Sequence, residues 1–232
     1  MAAAPRPDEP TLRPLWVVLP VKGFARAKSR LSPVLAGPER AALAQKLCEH
    51  VLSTLAGCDG VDGVLVLSDS DEVLELAARY GRTGEREPEG EGNPRAEPER
   101  PLLGALVDAG LARVHQHGAR AALILMSDLP RIDAADLSRL VALLREHDCV
   151  IAPDLREQNT NALALRLAPE HSLQTAFGTG DSFRLHLELA RARGLRTTVH
   201  RSIGLGFDVD LPEDYAELAG PVGLLRRSGM NR

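Results

Sequence analysis

Strand-length apolar runs alternate with helical patterns along almost the whole chain. The runs are Leu15–Leu19, Val64–Leu67, Ala121–Met126, Cys149–Ala152 and Asn161–Arg166, with Thr197–His200 and Gly206–Val209 as shorter candidates. Ala121–Met126 is apolar without interruption, the mark of a central strand covered on both faces. Between the runs, apolar residues recur at helical spacing. After Gly37-Pro38-Glu39, with Pro placed to open a helix, Ala44, Leu47, Val51 and Leu55 share one face of a helix reaching about Ala56. Ser68-Asp69-Ser70-Asp71 is a capping cluster for a helix to about Tyr80. Further helices are expected at Leu102–Gln116, Ala134–Glu146, Asp181–Arg193 and Pro212–Leu218.

Strands joined through helices take right-handed crossovers, so the pattern predicts one α/β domain with a mostly parallel central sheet flanked by helices. The domain is expected to span 15–218. The segment 81–100 is rich in charge, Gly and Pro and reads as a mobile loop. Residues 1–14, with Pro5, Pro7, Pro10 and Pro14, read as a disordered lead-in, and 219–232 as a tail.

The chain has 232 residues, 44% of them apolar but only 3% aromatic, so its core is built from Leu, Val and Ala. That length can bury a core of its own. A net charge of −4 argues against binding to nucleic acid or an anionic membrane. Cys48, Cys58 and Cys149 show no C-x-x-C spacing, so no disulfide framework or zinc site is indicated. No apolar run approaches the roughly 20 residues of a membrane span, and the first residues lack a signal core. A cytoplasmic protein is expected.

Against this acidic background, Lys22, Arg26, Lys28 and Arg30 cluster just after the first strand. The ligand crevice of an open α/β sheet lies beyond the carboxyl ends of its strands, so this basic loop is either a polyphosphate site or a solvated surface. Asp128 follows the most apolar strand and reads as a metal ligand or as a residue leading into the next helix. Asp208 and Asp210, at i and i+2, would point the same way on a strand; the competing reading is a turn before Pro212. Taken together, cations and strand-end carboxylates are what Mg²⁺-dependent nucleotidyl transfer requires, since Mg²⁺ takes one or two carboxylates plus phosphate oxygens and water. His115 and His117 lack a third ligand, Cys48 falls in a helical stretch, and neither a Walker loop nor a Gly-x-Ser-x-Gly elbow occurs.

Leu19-Pro20-Val21-Lys22 followed by Ala27-Lys28-Ser29-Arg30-Leu31 resembles the opening of the CofC/FbiD family. Ser127-Asp128-Leu129-Pro130, Ile151-Ala152-Pro153-Asp154, Thr160-Asn161-Ala162-Leu163 and Phe207-Asp208-Val209-Asp210-Leu211-Pro212-Glu213-Asp214 continue the resemblance, from about Trp16 to Tyr215. The resemblance implies a Rossmann-like, glycosyltransferase-A-like nucleotidyltransferase fold. It also implies a guanylyltransferase of coenzyme F420 biosynthesis, joining GMP from GTP to 2-phospholactate, phosphoenolpyruvate or 3-phosphoglycerate. Lys22, Arg26, Lys28 and Arg30 would bind the nucleotide, with Lys28 and Asp128 catalytic. Asp128, Asp208 and Asp210 would hold Mg²⁺. Thr160, Gly178, Gly180 and Ser182 would bind the acceptor acid; the same glycine and serine segment also suits the cap of the helix near Asp181. Homodimers are common in the family.

Two departures stand out. Where the family carries a Gly-Leu-Asn-like stretch for the base, this chain has Pro101-Leu102-Leu103-Gly104 without the Asn. The Phe177–Phe183 loop is one residue longer than the common form, so either Gly178 or Gly180 would meet the acceptor. The alternatives are a molybdopterin or sugar-phosphate nucleotidyltransferase of the same fold, and a non-catalytic nucleotide-binding regulator.

Overall fold

Seven strands form one sheet in the order β3-β2-β1-β4-β6-β5-β7, in a computed structural model that describes residues 12–86, 102–167 and 174–220. The strands are β1 (Leu15–Pro20), β2 (Gly63–Ser68), β3 (Thr83–Arg86), β4 (Ala121–Leu125), β5 (Cys149–Pro153), β6 (Thr160–Arg166) and β7 (Thr197–Val199). The helices are α1 (Gly37–Ala56), α2 (Asp71–Arg79), α3 (Leu102–Gln116), α4 (Ala134–Glu146), α5 (Ser182–Ala192), α6 (Ile203–Gly206) and α7 (Pro212–Ala219). Only β6 runs against its neighbours. It follows β5 through a connection too short for a crossover, which permits only antiparallel pairing. Buried Asp154 closes that connection, accepting from Gln158 N at 2.8 Å and Asn159 Nδ2 at 3.0 Å.

Alternating side chains divide the core into two layers. Val17, Leu19, Val66, Leu123 and Val150 meet α1, α2 and α4 on one face. Val18, Leu65, Ile124, Ile151 and Leu163 meet α3 and α5 on the other. Every residue of β4 is buried, so truncating Leu123 to Ala would cost about 2–5 kcal/mol.

A third, smaller cluster decides where the site forms. Leu31 and Leu35 from the basic loop pack with Leu43 and Leu47 of α1 and with Phe207, Val209 and Leu218 near α7. Apolar burial thus clamps the segment carrying Lys28 against the one carrying Asp208 and Asp210. Gly204 lets α6 approach α4 at this end, because a Cβ there would lie 1.8 Å from Asp136 Oδ2.

Three expectations are corrected. Thr83–Arg86, expected within a mobile loop, is an edge strand paired in parallel with β2. An edge position tolerates charged side chains, so charge density there misled; 87–101 lie outside the described residues. Gly206–Val209, expected as a strand, is the end of α6 followed by irregular backbone. Leu12–Pro14, expected in a disordered lead-in, are tied down: Leu12 is buried, Arg13 pairs with Asp62, and Pro14 O accepts from Arg120 N at 2.8 Å. Residues 1–11 and 221–232 lie outside the described residues.

Candidate active site

β1 and β4 are neighbours and parallel, and the chain leaves them toward opposite edges of the sheet, from β1 to β2 and from β4 to β5. That reversal makes the gap beyond their carboxyl ends the crevice of the fold. The basic loop leaves β1 there, and Ser127-Asp128 leaves β4 beside it.

The loop is not slack. Two single 3-10 turns, Phe24–Arg26 and Ser29–Leu31, anchor it through buried Phe24 and Leu31. Lys28 sits between them in the left-handed region at φ 53° and ψ 37°. A lysine gains nothing intrinsically from that conformation, which costs about 1–3 kcal/mol; the flanking turns impose it. The strain turns its side chain inward, so that only 8% of it is exposed. Its Nζ lies 2.5 Å from Asp128 Oδ2 and 3.0 Å from Asp210 Oδ1. Burial alone would release the proton, but the two carboxylates outweigh it and hold the Lys28 ammonium well above its usual range.

Asp128, Asp208 and Asp210 come together with carboxylate oxygens within 4.8 Å of one another. Asp208 and Asp210 reach this cluster from irregular backbone rather than from a strand, so their i, i+2 spacing aligns them through the turn before α7. Burial, joined by repulsion from Asp128 and Asp210, pushes the Asp208 carboxyl up to about 7, against opposing help from Asn161 and Lys28. A cluster that holds one carboxyl near neutrality still lacks positive charge. Oxygen-only donors at this separation fit a hard divalent cation such as Mg²⁺.

The remaining cations divide. Arg30 Nη1 lies 3.6 Å from Asp210 Oδ2 and is otherwise exposed. Arg26 turns away to pair with Asp69 at the end of β2. Lys22 is exposed and lines the cleft with Lys28, Ser127, Asp128 and Asp210. Two of the four loop cations therefore touch the carboxylates directly.

On the far side of β6 lies a neutral cluster. Between the pairs Ala152↔Ala162 and Pro153↔Thr160, β5 advances one residue and β6 two. The extra residue is Asn161, and such a bulge re-aims the side chains beyond it. Thr160 is thereby directed toward α5 instead of the face shared by Ala162 and Ala164. Its backbone N–H donates to Ser182 Oγ at 3.0 Å, and its Oγ1 lies 2.9 Å from His186 Nδ1. Gly178 (φ 86°) and Gly180 are exposed in the loop leading to α5. Loop and helix thus bring Thr160 and Ser182 into contact, with both glycines in the adjoining segment.

Three residues at this site carried no assigned role in the sequence reading. Asn161 Nδ2 donates to Leu205 O at 3.0 Å and reaches Asp208 Oδ1 at 3.5 Å, fixing the turn that carries Asp208. Asp214 Oδ2 accepts from Asp210 N at 3.0 Å and Leu211 N at 2.7 Å, while Arg156 holds its other oxygen at 2.6 Å. His186 is the third. Leu211-x-x-Asp214 has the spacing of half a capping box, and Ser182 with His186 at i, i+4 shares a helix face. Those spacings were the available signals.

A model of the family described as "Guanylyl transferase CofC like" matches residues 15–220. A phosphoenolpyruvate guanylyltransferase of Sphaerobacter thermophilus is 41% identical over 208 residues, covering 89% of this chain and 94% of the relative. A 3-phospho-D-glycerate guanylyltransferase of Phenylobacterium zucineum is 36% identical, covering 89% and 90% respectively. Among solved structures, a 4-diphosphocytidyl-2C-methyl-D-erythritol synthase from Anaerococcus prevotii superposes with a TM-score of 0.59 at 11% identity, covering 88% of this chain and 93% of that one. At that identity the likeness concerns the fold alone.

Proposed function

The chain belongs to the CofC-like guanylyl transferase family, and from that membership we propose that it transfers GMP from GTP to a small phosphorylated carboxylic acid, releasing pyrophosphate, in coenzyme F420 assembly. The acceptor class follows the acids named for its relatives, phosphoenolpyruvate and 3-phospho-D-glycerate. The observation that carries the reading is the convergence of Lys28, Asp128, Asp208 and Asp210 at the sheet's crevice.

In the proposed reaction, an oxygen of the acceptor phosphate bonds to the α-phosphorus of GTP. The bond from that phosphorus to the αβ-bridging oxygen breaks, and its electron pair leaves with pyrophosphate. The acceptor phosphate is already anionic at neutral pH, so no strong general base is needed. Catalysis rests on positioning and charge stabilisation. Lys28 is held where a triphosphate would meet the carboxylates, with Lys22 and Arg30 beside it. Asp128, Asp208 and Asp210 would hold Mg²⁺, which when bound offsets the phosphate charge. Thr160 and Ser182 would receive the acid. Among the described residues no helix is long and apolar enough to cross a membrane, and a cytoplasmic reaction on soluble substrates agrees with that.

Incubation with GTP, Mg²⁺ and, separately, phosphoenolpyruvate, 3-phosphoglycerate and 2-phospholactate tests the reading. Product masses should show a guanosine-diphospho-linked acid with stoichiometric pyrophosphate for at least one of them. Absence of any such product from folded protein would overturn it.

A further inference from the structure

The imidazole of His186 is fully buried, yet neither the carboxylate cluster nor the basic loop touches it. It bridges the loop before α5 and the start of β6. Backbone N–H of Ala176 lies 2.9 Å from its Nε2, and Thr160 Oγ1 lies 2.9 Å from its Nδ1. The ring of Phe177 meets it edge-on with centroids 4.7 Å apart.

The proton positions in this chain of contacts follow from the donors. A backbone amide can only donate, so Nε2 must be the bare, accepting nitrogen. A ring with Nε2 bare is neutral and carries its one proton on Nδ1. Burial agrees, pulling the His186 imidazolium down to about 4. Nδ1–H therefore donates to Thr160 Oγ1, which becomes an acceptor in that bond. The hydroxyl keeps its own proton for another partner.

Ser182 is in the same position. Its Oγ accepts from Thr160 N at 3.0 Å, so its proton is also uncommitted. Among the described residues neither hydroxyl donates to a protein acceptor, although both side chains are buried to 2% exposure. Buried hydroxyl protons without acceptors are costly unless a ligand supplies lone pairs. Two adjacent hydroxyls, each with one lone pair engaged and a proton still to give, favour a group rich in acceptors, a carboxylate or phosphate oxygen.

We propose that His186 is a positioning residue for the acceptor: as the Nδ1–H tautomer anchored on Ala176 N, it occupies one lone pair of the Thr160 hydroxyl, leaves that hydroxyl's proton to donate toward the acid, and ties the hydroxyl to the 174–181 loop. The inference rests on the guanylyl-transfer reading and extends it to what selects an anionic acceptor. The loop is held from its other side as well, by Asp108 of α3, which accepts from Thr175 N at 3.0 Å and Thr175 Oγ1 at 2.8 Å.

Two half-mimics separate the two bonds. In His186→Asn the amide sits near Nδ1 and still donates to Thr160. In His186→Gln the side-chain oxygen sits near Nε2 and still accepts from Ala176 N, but nothing donates to Thr160. His186→Gln should raise KM for the acid about tenfold, the loss of one hydrogen bond, with KM for GTP unchanged. His186→Asn should keep KM for the acid within about threefold of the parent, since it retains that bond. Thr160→Val should match His186→Gln, and the double variant should be no worse than either alone.

Long-range ¹H–¹⁵N spectra of the wild-type protein should show the Nδ1–H tautomer at neutral pH. An Nε2–H tautomer, or His186→Gln moving both KM values together, overturns the proposal. A wild-type protein that makes no product defeats the transfer reading instead, while the tautomer measurement, which needs no turnover, still decides whether Nδ1–H donates to Thr160.

Discussion

At the carboxylate pole of the molecule, three aspartates crowd one lysine, and Asp208 is pushed up to about 7 by burial and its acidic neighbours. At the hydroxyl pole, Thr160, Ser182 and His186 carry no charge and close a short chain of hydrogen bonds. Asn161, the bulged residue beside Thr160, reaches Asp208, so one strand end serves both poles. The first is electrostatically unfinished, as a site must be if it is to hold a polyphosphate with its cation. The second is rigid and finished except for two hydroxyl protons. On the proposed reading, one substrate would be recognised by charge that arrives with it, the other by neutral donors set in advance.

The comparison breaks most visibly at Asp128. Asp128→Asn keeps shape and removes charge, and should lower kcat by about a thousandfold or more, as loss of a principal charge-stabilising group does. Pyrophosphate release from GTP, followed with saturating Mg²⁺, measures it; near-normal release would remove Asp128 from the centre. Lys28→Ala is expected next, at about a hundredfold in kcat/KM for GTP with KM for the acid little changed. If both substrates suffered alike, Lys28 would be a structural clamp rather than a phosphate ligand. Smaller again, Thr160→Val should cost about tenfold in KM for the acid alone. These three changes should sort by pole, and a variant that crosses over would join the poles into one site.

The sheet was legible because its signals are local. Ala121–Leu125 is apolar throughout and lands at the centre, and Leu102–Gln116 and Ala134–Glu146 form as their periodicity dictates. Asp128 was legible too, since an acidic residue just past an apolar strand announces itself, and the Asp208/Asp210 spacing marked the pair that joins it. The path by which Asp208 and Asp210 arrive was not, because it depends on Phe207 and Val209 packing against Leu31 and Leu47, contacts remote in sequence. The direction of Thr160 was equally hidden: a bulge at Asn161 reverses the alternation from which its face would be read. Edge strand β3 escaped because its four residues carry the charges of a loop.

The smallest predicted effect, a shift in melting temperature, runs against intuition. Asp208→Asn should stabilise the protein in the absence of metal and nucleotide. The folded carboxyl titrates at about 7, above its ordinary 3.8, so between those values the folded state binds more protons than the unfolded one. Stability from this group is therefore present in acid and lost as pH rises through about 7. Asparagine, neutral at every pH, escapes that loss. The variant should melt a few degrees higher than the parent at about pH 8, the shift expected from about 1 kcal/mol in a domain of this size. The gap should narrow on acidification toward about pH 5, where the aspartate becomes increasingly protonated. Thermal melts with a chelator at both pH values measure it. Thr160→Val offers the matching control, since an uncharged pole predicts a melting difference that does not change between the same two pH values. A gap for Asp208→Asn that stayed constant with pH would mean that repulsion among the carboxylates is already quenched by Lys28, and that the two poles differ in chemistry but not in strain.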